Sequence, residues 1–285
     1  MANAVPNAAA KADELHIYEP HRASLPKIVP YFRDLWARRA FAAEFSKSGI
    51  RAANTQTVFG QLWLILNPLL LALVYYVLVN ILSNRGGMDY LAHLTGGLFL
   101  YFFVTGSMTS GAASVTGGGK LIMNMAFPRL LMPFAAVRTA FFRFLPTVPV
   151  YLVIHLIAGG TWNAYMLLAV VFLGLTVLFA MGMAAILATV QVYFRDTTSF
   201  LPYFMRIWLY LSPILWFVED APARFADLMY LNPLYSLIGG WVDLSLRGVI
   251  PDPRIWFAAL AWAVVALAGG SLFFMSRERD FAVRL

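Results

Sequence analysis

The sequence contains no cysteine and little charge: Asp, Glu, Lys and Arg make up 12% of its 285 residues, about half the share in an average soluble domain. The absence of cysteine excludes disulfides, thiolate metal sites, thioether-linked haem and a cysteine nucleophile. Hydrophobic residues reach 61% and the mean hydropathy is +0.71, which is typical of a chain that lies in a bilayer. Six spans of about 20 residues each would leave no room for a large soluble catalytic domain.

Six apolar runs are close to the length that crosses a membrane as a helix. We predict an all-α polytopic membrane protein with a transmembrane domain at 60–276 and helices at 61–82, 90–112, 133–158, 165–193, 200–218 and 255–276. Fourteen of the 21 basic residues fall in segments that this topology places on one side. The positive-inside rule makes that side cytoplasmic, so both termini are expected in the cytoplasm. The net charge of +7 is thereby explained without nucleic acid binding.

The polar segments at the two ends differ in character. Residues 1–30 are rich in Ala, Pro and charge and are expected to form a flexible cytoplasmic arm. They lack the apolar core of a signal peptide, so the first span is expected to be an uncleaved anchor. Over 31–59 we predict an amphipathic interface helix and a linker, because Phe32 and Trp36 recur at helical spacing. An ordinary surface helix would show the same pattern. Residues 277–285 are expected to form a cytoplasmic tail.

The last external segment, 219–254, is too apolar to be a solvated connector and too interrupted to cross the membrane twice as full helices. We predict two short re-entrant or interfacial helices that separate at Asn232-Pro233. Within the spans, Pro68, Pro146 and Pro149 each remove a backbone donor, and kinks are expected there.

Three arginines lie inside the predicted spans, where a charge at mid-membrane costs about 2.5 to 3.5 kcal/mol on insertion scales. Arg138 and Arg206 lie near the predicted cytoplasmic ends, and their side chains are expected to reach the interface. Arg143 lies deeper. It is therefore the better candidate for a functional charge along a polar path.

The stretch Thr116-Gly117-Gly118-Gly119-Lys120 resembles a phosphate-binding loop but has the wrong spacing. A Walker motif needs a glycine where Ser114 stands and a hydroxyl where Leu121 stands. Any energy from a nucleotide must therefore come from another subunit. Beyond the glycines, Met123 and Phe127 offer adaptable apolar side chains to a groove on a partner.

Candidate metal and catalytic groups are sparse. His93 and His155 fall near the outer ends of spans without the carboxylates or cysteines that complete a metal site, and we interpret them as interfacial. Glu219 and Asp220 belong to an outer group of acids that could serve a membrane enzyme as base and metal ligand. A solvated acidic rim is the commoner explanation. Aromatic side chains in the spans either face lipid or, inside a bundle, can stack on sugar rings.

Four local patterns, spread from Asp34 to the C-terminus, resemble the transmembrane subunits of type-2 ABC exporters, in the branch that exports polysaccharide and O-antigen. They are Phe59-Gly-Gln-Leu-Trp63 with Asn67-Pro68-Leu69, Asn124-Met-Ala-Phe-Pro-Arg129 followed by Met132-Pro133, Val192-Tyr-Phe-Arg-Asp196, and Ser212-Pro-Ile214 with Asn232-Pro-Leu234. The first pattern is also similar to that of actinobacterial exporters of lipid-linked galactan, a cell-wall precursor.

The resemblance implies a plasma-membrane homodimer that forms a channel, with an ATP-binding ABC subunit docked on each copy. This chain would then be a transport subunit with no catalytic residue, metal or cofactor of its own, and ATP and magnesium would be held by the partner. The contacts with the ATPase are implied at Arg38, Lys120, Met123, Asn124, Phe127 and Arg129. The implied channel lining consists of Tyr75, Tyr76, Phe99, Tyr101, Arg143, Trp208, Tyr210 and Trp216, with Arg143 facing the phosphates of a lipid-linked glycan.

The substrate implied by the resemblance is a polysaccharide linked to polyprenyl diphosphate, of the O-antigen or cell-wall galactan type. Two other functions stay open at this stage. A drug or small-lipid exporter would share the architecture, and a polyprenyl-dependent membrane glycosyltransferase would use the outer acids for catalysis.

Overall fold

The computed structural model of the protein describes residues 26–52, 59–83, 87–125, 127–160, 162–220 and 223–284. Regular structure in these ranges is helical throughout. The α-helices are α1 Ile28–Ala37, α2 Arg39–Ala52, α3 Trp63–Ser83, α4 Met88–Gly117, α5 Gly119–Asn124, α6 Leu131–Phe144, α7 Thr147–Ile157, α8 Ala169–Tyr193, α9 Thr197–Leu211, α10 Ala226–Met229, α11 Pro233–Val242, α12 Pro253–Arg277 and α13 Phe281–Arg284. Short 3-10 turns lie at Gly60–Leu62, Ala164–Leu168, Val218–Asp220, Ala223–Phe225 and Glu278–Asp280, and a π-helix lies at Asp243–Arg247. Most of the predicted arm, 1–25, lies outside the described residues.

Five helical segments in the described ranges are long and apolar enough to cross a membrane, which confirms an all-α polytopic membrane protein. They are Gly60–Ile81, Met88–Gly117, Leu131–Ile157, Ala164–Tyr193 and Pro253–Arg284. Each of them contains most of one of the runs predicted from hydropathy.

The fifth predicted span, 200–218, is not a helix of spanning length. Its helix, α9, has 15 residues, which at 1.5 Å per residue rise about 22 Å, less than the roughly 30 Å of a hydrocarbon core. The helix ends because Ser212 precedes a proline, and this position disfavours helical backbone; its dihedrals are extended, with φ −101° and ψ 149°. Ser212 and Ile214 are nevertheless buried in the protein, where non-helical backbone at membrane depth is tolerated.

The prolines act at different positions in their helices. Pro68 lies inside the continuous helix α3. Pro146 lies at the break between α6 and α7, so the third span bends where the sequence predicted. Pro149 falls in the first turn of α7, where a backbone N–H has no intrahelical acceptor and its loss removes no bond.

The core is built around α4, which packs against α3, α6, α8, α9 and α11, while α8 and α12 lie together along their length. Small residues allow these close approaches. A Cβ on Gly111 would lie 2.5 Å from the Cβ of Ala184, and one on Gly182 would lie 2.1 Å from the backbone of Ala266. The small-residue positions of α8 and α12 therefore serve packing within this chain.

The predicted single interface helix is two helices, separated at Arg38. The break contains no proline and follows from tertiary contacts. It turns α2 so that Ala42 and Ser46 are buried against α6, where Ser46 and Thr139 share a hydrogen bond of 3.0 Å between their hydroxyl oxygens. Packing of this kind overrides helix propensity.

The 219–254 segment divides at Asn232-Pro233 as predicted. Asn232 caps α11, because its side-chain oxygen accepts a hydrogen bond from the Leu234 amide at 3.1 Å, and Pro233 takes the first helical position. Helix α11 is buried along its length, and the chain leaves the π-helix at Gly248 with φ +62°. Of the residues before Asn232, those that the structure describes, 219–220 and 223–231, form α10 and short turns instead of a second long helix. Insertion of this segment into a membrane stays a prediction.

Candidate functional site

The predicted ATPase-facing elements meet at the carboxylate of Glu278. One carboxylate oxygen accepts a hydrogen bond from the Tyr31 hydroxyl at 2.5 Å, and the other accepts one from the backbone N–H of Arg129 at 2.8 Å. The Arg129 guanidinium also donates to the Glu278 carbonyl at 2.6 Å. Helix α1, the turn before α6 and the end of α12 are thus joined at one acidic side chain. We call Tyr31, Arg129 and Glu278 the carboxylate junction.

The junction is partly shielded from solvent. Burial raises the pKa of the Tyr31 hydroxyl, and the neighbouring Glu278 carboxylate raises it further. Tyr31 is therefore a hydrogen-bond donor at any physiological pH. Its oxygen also lies 3.4 Å from the Leu130 amide, which donates to it. A hollow of about 280 Å³ opens beside these residues, with Met125 and Phe127 on its wall.

The other residues implied to contact an ATPase lie close by. Arg38 is exposed between α1 and α2 and forms an ion pair with Asp34 at 2.9 Å. Asn124 is exposed at the end of α5, and the ring of Phe127 packs against Phe41 with centroids 5.4 Å apart. The backbones of Lys120 and Met123 belong to α5, but their side chains lie outside the described part of the structure. The structure thus brings the predicted α1 and α5 surfaces to one end of the bundle.

Arg143 borders a cavity of about 430 Å³ between α3, α4 and α6. One guanidinium nitrogen lies 3.5 Å from the carbonyl oxygen of Gly49. The Nε is buried and has no hydrogen-bond acceptor within the described ranges. The rest of the wall combines aromatic rings with small polar groups, including Trp63, Asn67, Phe99, Phe102, Ser110 and Thr139. A buried guanidinium donor beside such a cavity is suited to an anion or to sugar hydroxyls.

The aromatic residues implied to line a channel divide into two groups. Tyr75 and Tyr210 are within hydrogen-bonding reach of each other, with Arg206 nearby, and the indole N–H of Trp216 donates to the Tyr210 carbonyl at 3.1 Å. Tyr210 is 52% exposed, so these rings lie along an outer face of the chain formed by α3 and α9. Tyr76 is partly exposed and stacks on Tyr90 with centroids 6.3 Å apart.

The second group lies within the protein core. Phe99 is buried and forms part of the wall of the Arg143 cavity. The hydroxyl of the buried Tyr101 donates to the Met205 carbonyl. The indole of Trp208, 8% exposed, donates to the Asn232 side-chain oxygen at 2.7 Å. In a single copy these rings pack α4, α9 and α11 together, and their exposure to a channel stays a prediction.

At the opposite end of the bundle, the acids belong to an ion-pair network. Arg247 contacts both carboxylate oxygens of Glu219, at 2.6 and 3.1 Å, and lies 3.4 Å from Asp243. The hydrogen bond from Arg247 holds the pKa of Glu219 below its ordinary value. The side chain of Asp220 lies outside the described part of the structure. Glu219 is therefore a carboxylate paired with Arg247, and its lowered pKa makes it a weaker base than a free carboxylate.

The two histidines considered as metal ligands have separate aromatic surroundings. His93 packs on Phe217 with centroids 4.4 Å apart, and His155 packs on Trp162 at 5.4 Å. No group of three or more His, Asp or Glu side chains that could hold a metal occurs within the described ranges.

Sequence reasoning missed the carboxylate junction. Tyr31 and Glu278 are 247 positions apart, and Arg129 and Glu278 are 149 apart, so no periodicity links them. The available signal was a single acid directly after the apolar run that ends in Arg277.

Together, the helices and the two polar sites define a multi-pass membrane protein with a network of contacts at the α1 end and a cavity inside the bundle. No family model matches the chain. It is similar to O-antigen export system permease protein RfbA of Klebsiella pneumoniae, at 28% identity over 225 residues that cover 79% of this chain and 87% of that protein. The protein of the same name from Myxococcus xanthus is 27% identical over 255 residues, covering 88% and 97%. These findings confirm the resemblance to polysaccharide-export permeases along most of the chain.

Proposed function

We propose that this chain is the transmembrane subunit of an ATP-driven ABC exporter that moves a polyprenyl-diphosphate-linked polysaccharide, of the O-antigen or cell-wall galactan type, across the plasma membrane. The observation that carries the proposal is the similarity to O-antigen export permeases over most of both chains. This coverage matters, because a match over 79% to 88% of the chain is more than one common segment.

The energy for transport is proposed to come from a separate subunit. The glycine stretch that ends at Lys120 lacks the spacing of a phosphate-binding loop. The end of the bundle that carries α1, α2 and α5 also carries most of the basic residues, which supports a cytoplasmic location for both termini. An ATPase docked there would contact Arg38, Asn124 and Phe127 and shift these elements on nucleotide binding.

An even number of crossings is part of this topology. Five crossings are helices of spanning length. Helix α9 and the buried, non-helical residues that follow it are proposed to make the remaining crossing, which is the fifth along the chain. The burial of Ser212 and Ile214 supports this, since extended backbone at membrane depth must be covered by protein. A second copy of the chain is proposed to complete the channel, with the half-buried ring of Tyr75 and the exposed ring of Tyr210 on its wall.

Arg143 is proposed to meet the phosphates of the lipid-linked glycan. Its buried Nε lacks an acceptor in the described structure, and the adjacent cavity offers aromatic rings for sugar. Arg143→Gln should leave the fold intact and lower glycan-stimulated ATP hydrolysis by about tenfold, which corresponds to the loss of one charge-assisted hydrogen bond. Arg143→Lys, which keeps the charge, should retain part of the stimulation. Equal activity of all three proteins would remove Arg143 from the proposal.

The function is tested by co-purification with an ATPase that is encoded by a neighbouring reading frame. ATP hydrolysis by the complex is then measured in nanodiscs with a defined polyprenyl-diphosphate glycan. Stimulation by this glycan, but not by a drug panel or short lipids, is expected. A complex that responds to drugs and ignores the glycan would support the small-molecule exporter instead.

The glycosyltransferase alternative is tested at the outer acids. Glu219→Gln and Asp220→Asn should leave an exporter working, whereas an enzyme that used these acids would lose its activity. The pairing of Glu219 with Arg247 favours the first outcome.

A further inference from the structure

The C-terminal turn is fixed to the membrane-spanning helices. Phe281 is fully buried and packs edge-on against Phe274 of α12 with centroids 5.1 Å apart. Its cluster includes buried residues of α4, α6 and α8. The Asp280 carboxylate accepts a hydrogen bond from the Tyr193 hydroxyl at 2.9 Å, at the end of α8. The 3-10 turn that carries Glu278 is therefore held at both ends by α8 and α12.

The two elements that Glu278 contacts are held differently. Helix α1 has no buried residue, whereas the turn before α6 ends in Leu130, which is buried in the same cluster as Phe281. The hydrogen bond from Tyr31 and the two from Arg129 fasten these elements to the fixed turn. The Tyr31 hydroxyl also accepts from Leu130, so that α1 and the turn contact each other through the same group.

We propose that Glu278 is a positioning residue that joins α1, the turn before α6 and the end of α12 into one rigid unit, through which movement of the ATPase-facing surface reaches the spans. This rests on the proposed function, because it assumes an ATPase on that surface. Without the junction, α1 would move separately from the turn before α6 and from α12, and ATP hydrolysis would continue without moving the substrate.

The chemistry of the junction requires a carboxylate. Both of its oxygens act as acceptors, one for the Tyr31 O–H and one for the Arg129 N–H. The amide that Glu278→Gln introduces has one acceptor and one donor group. It can therefore accept a hydrogen bond from only one of the two groups, and it places an N–H donor opposite the other donor. Tyr31→Phe removes only the α1 link and leaves Arg129 bound to the carboxylate.

A matched control lies two residues away. Asp280→Asn makes the same change of charge in the same turn, but its partner is Tyr193 of α8 rather than α1 or the turn before α6. If Glu278→Gln acted only by weakening the tail, Asp280→Asn should therefore have the same effect.

The first measurement needs no ATPase. Because the chain contains no cysteine, spin labels can be placed at introduced cysteines alone, on Ala37 at the exposed end of α1 and on Val283, 85% exposed, in α13. Pulsed electron spin resonance of the purified full chain in nanodiscs should give one narrow distance in the native background and in Asp280→Asn. The distribution should broaden in Tyr31→Phe and Glu278→Gln. A narrow, unchanged distance in Glu278→Gln would overturn the proposal.

The second measurement uses the complex with its ATPase. Glu278→Gln and Tyr31→Phe should lower substrate moved per ATP hydrolysed by about tenfold, the factor for one hydrogen bond to a charged group, while hydrolysis itself continues. The double variant should lose less than the product of the two single losses, because Tyr31 and Glu278 are partners in one hydrogen bond. Proportional loss of transport and hydrolysis, or an equal loss in Asp280→Asn, would overturn the positioning role. If no ATPase binds the native chain, the function fails, whereas the spin-label result still decides whether the junction is rigid.

Discussion

Helices α3 and α4 are neighbours, and both are apolar enough to cross a membrane, but their surroundings are opposite. In the most apolar stretch of α4, 67% of the residues are buried, against 6% in the first span, which contains α3. Helix α4 contacts most other spans, whereas α3 packs mainly on α4. Hydropathy measures only compatibility with the bilayer, and the packing of a span depends on small residues and polar contacts. Helix α4 therefore carries the stability of the single chain, and α3 offers its surface to whatever surrounds that chain.

The largest effect is expected where α4 touches α8. Gly111→Leu should destabilise the protein by about 3 kcal/mol, because a side chain there overlaps Ala184 and forces the helices apart. Gly106→Leu is the control: it is on the same helix, and nothing lies within 4 Å of its Cβ position. Unfolding in mixed detergent micelles measures both. A loss of the same size in Gly106→Leu would mean that α4 is not packed as described.

A truncation on each helix tests the comparison itself. Leu98→Ala on α4, where the side chain is fully buried, should cost about 2 kcal/mol through the cavity it leaves. This lies at the low end of the usual range because lipid is as apolar as the core. Leu73→Ala on α3, 53% exposed, should cost less than about 0.5 kcal/mol in the isolated chain. Thermal unfolding of both variants measures these losses of stability. Equal losses would contradict the difference in packing between α3 and α4.

A pair of hydroxyl deletions sharpens the same contrast. Tyr101→Phe removes a buried donor from the Met205 carbonyl and should cost about 1 kcal/mol. Tyr75→Phe removes a contact with the exposed Tyr210 and should cost only a few tenths, since the environment can replace the contact. The measurement is the midpoint of detergent-induced unfolding. A larger loss from Tyr75→Phe would place α3 in a tighter environment than a single chain provides.

Sequence could predict the features of the fold that depend on local properties, and it missed those that depend on packing between helices. Five spans were found because length and hydropathy are local properties, and the break at Asn232-Pro233 was found because a cap and a proline are local signals. The end of α9 at Ser212 was missed, because the residues after it are apolar and hydropathy alone extends the span past the local signal of Pro213. The break at Arg38 coincides with no proline or glycine, so the sequence carries no breaker signal there.

The candidate site was predicted unevenly for the same reason. Arg143 could be singled out because a charge deep in an apolar run is conspicuous, and the structure places it beside a cavity. The junction of Tyr31, Arg129 and Glu278 could not, because its members come from three distant segments that meet only after the spans have packed. Tyr101 and Trp208 were proposed for a channel wall on residue type alone, and burial in the core depends on helix orientation, which hydropathy does not provide.

The smallest effect is expected outside both helices, at the exposed end of the bundle. The pKa of Glu219 is lowered by Arg247, so the pair contributes stability at neutral pH and loses it as the pH falls through that lowered pKa. The side chain of Glu219 is 61% exposed, which limits the contribution to less than about 1 kcal/mol. Glu219→Gln should remove this small acid dependence from the unfolding midpoint. A loss of several kcal/mol in that variant would mean that the pair is buried in the assembled protein.

The central claim is that this chain conducts a substrate that another subunit drives. The most direct test is transport of a defined polyprenyl-diphosphate-linked glycan in proteoliposomes that contain this chain, its ATPase, or both. The account predicts ATP-dependent movement of the glycan only when both proteins are present, with no covalent change to the glycan. Movement or chemical conversion of the glycan by this chain alone would contradict it.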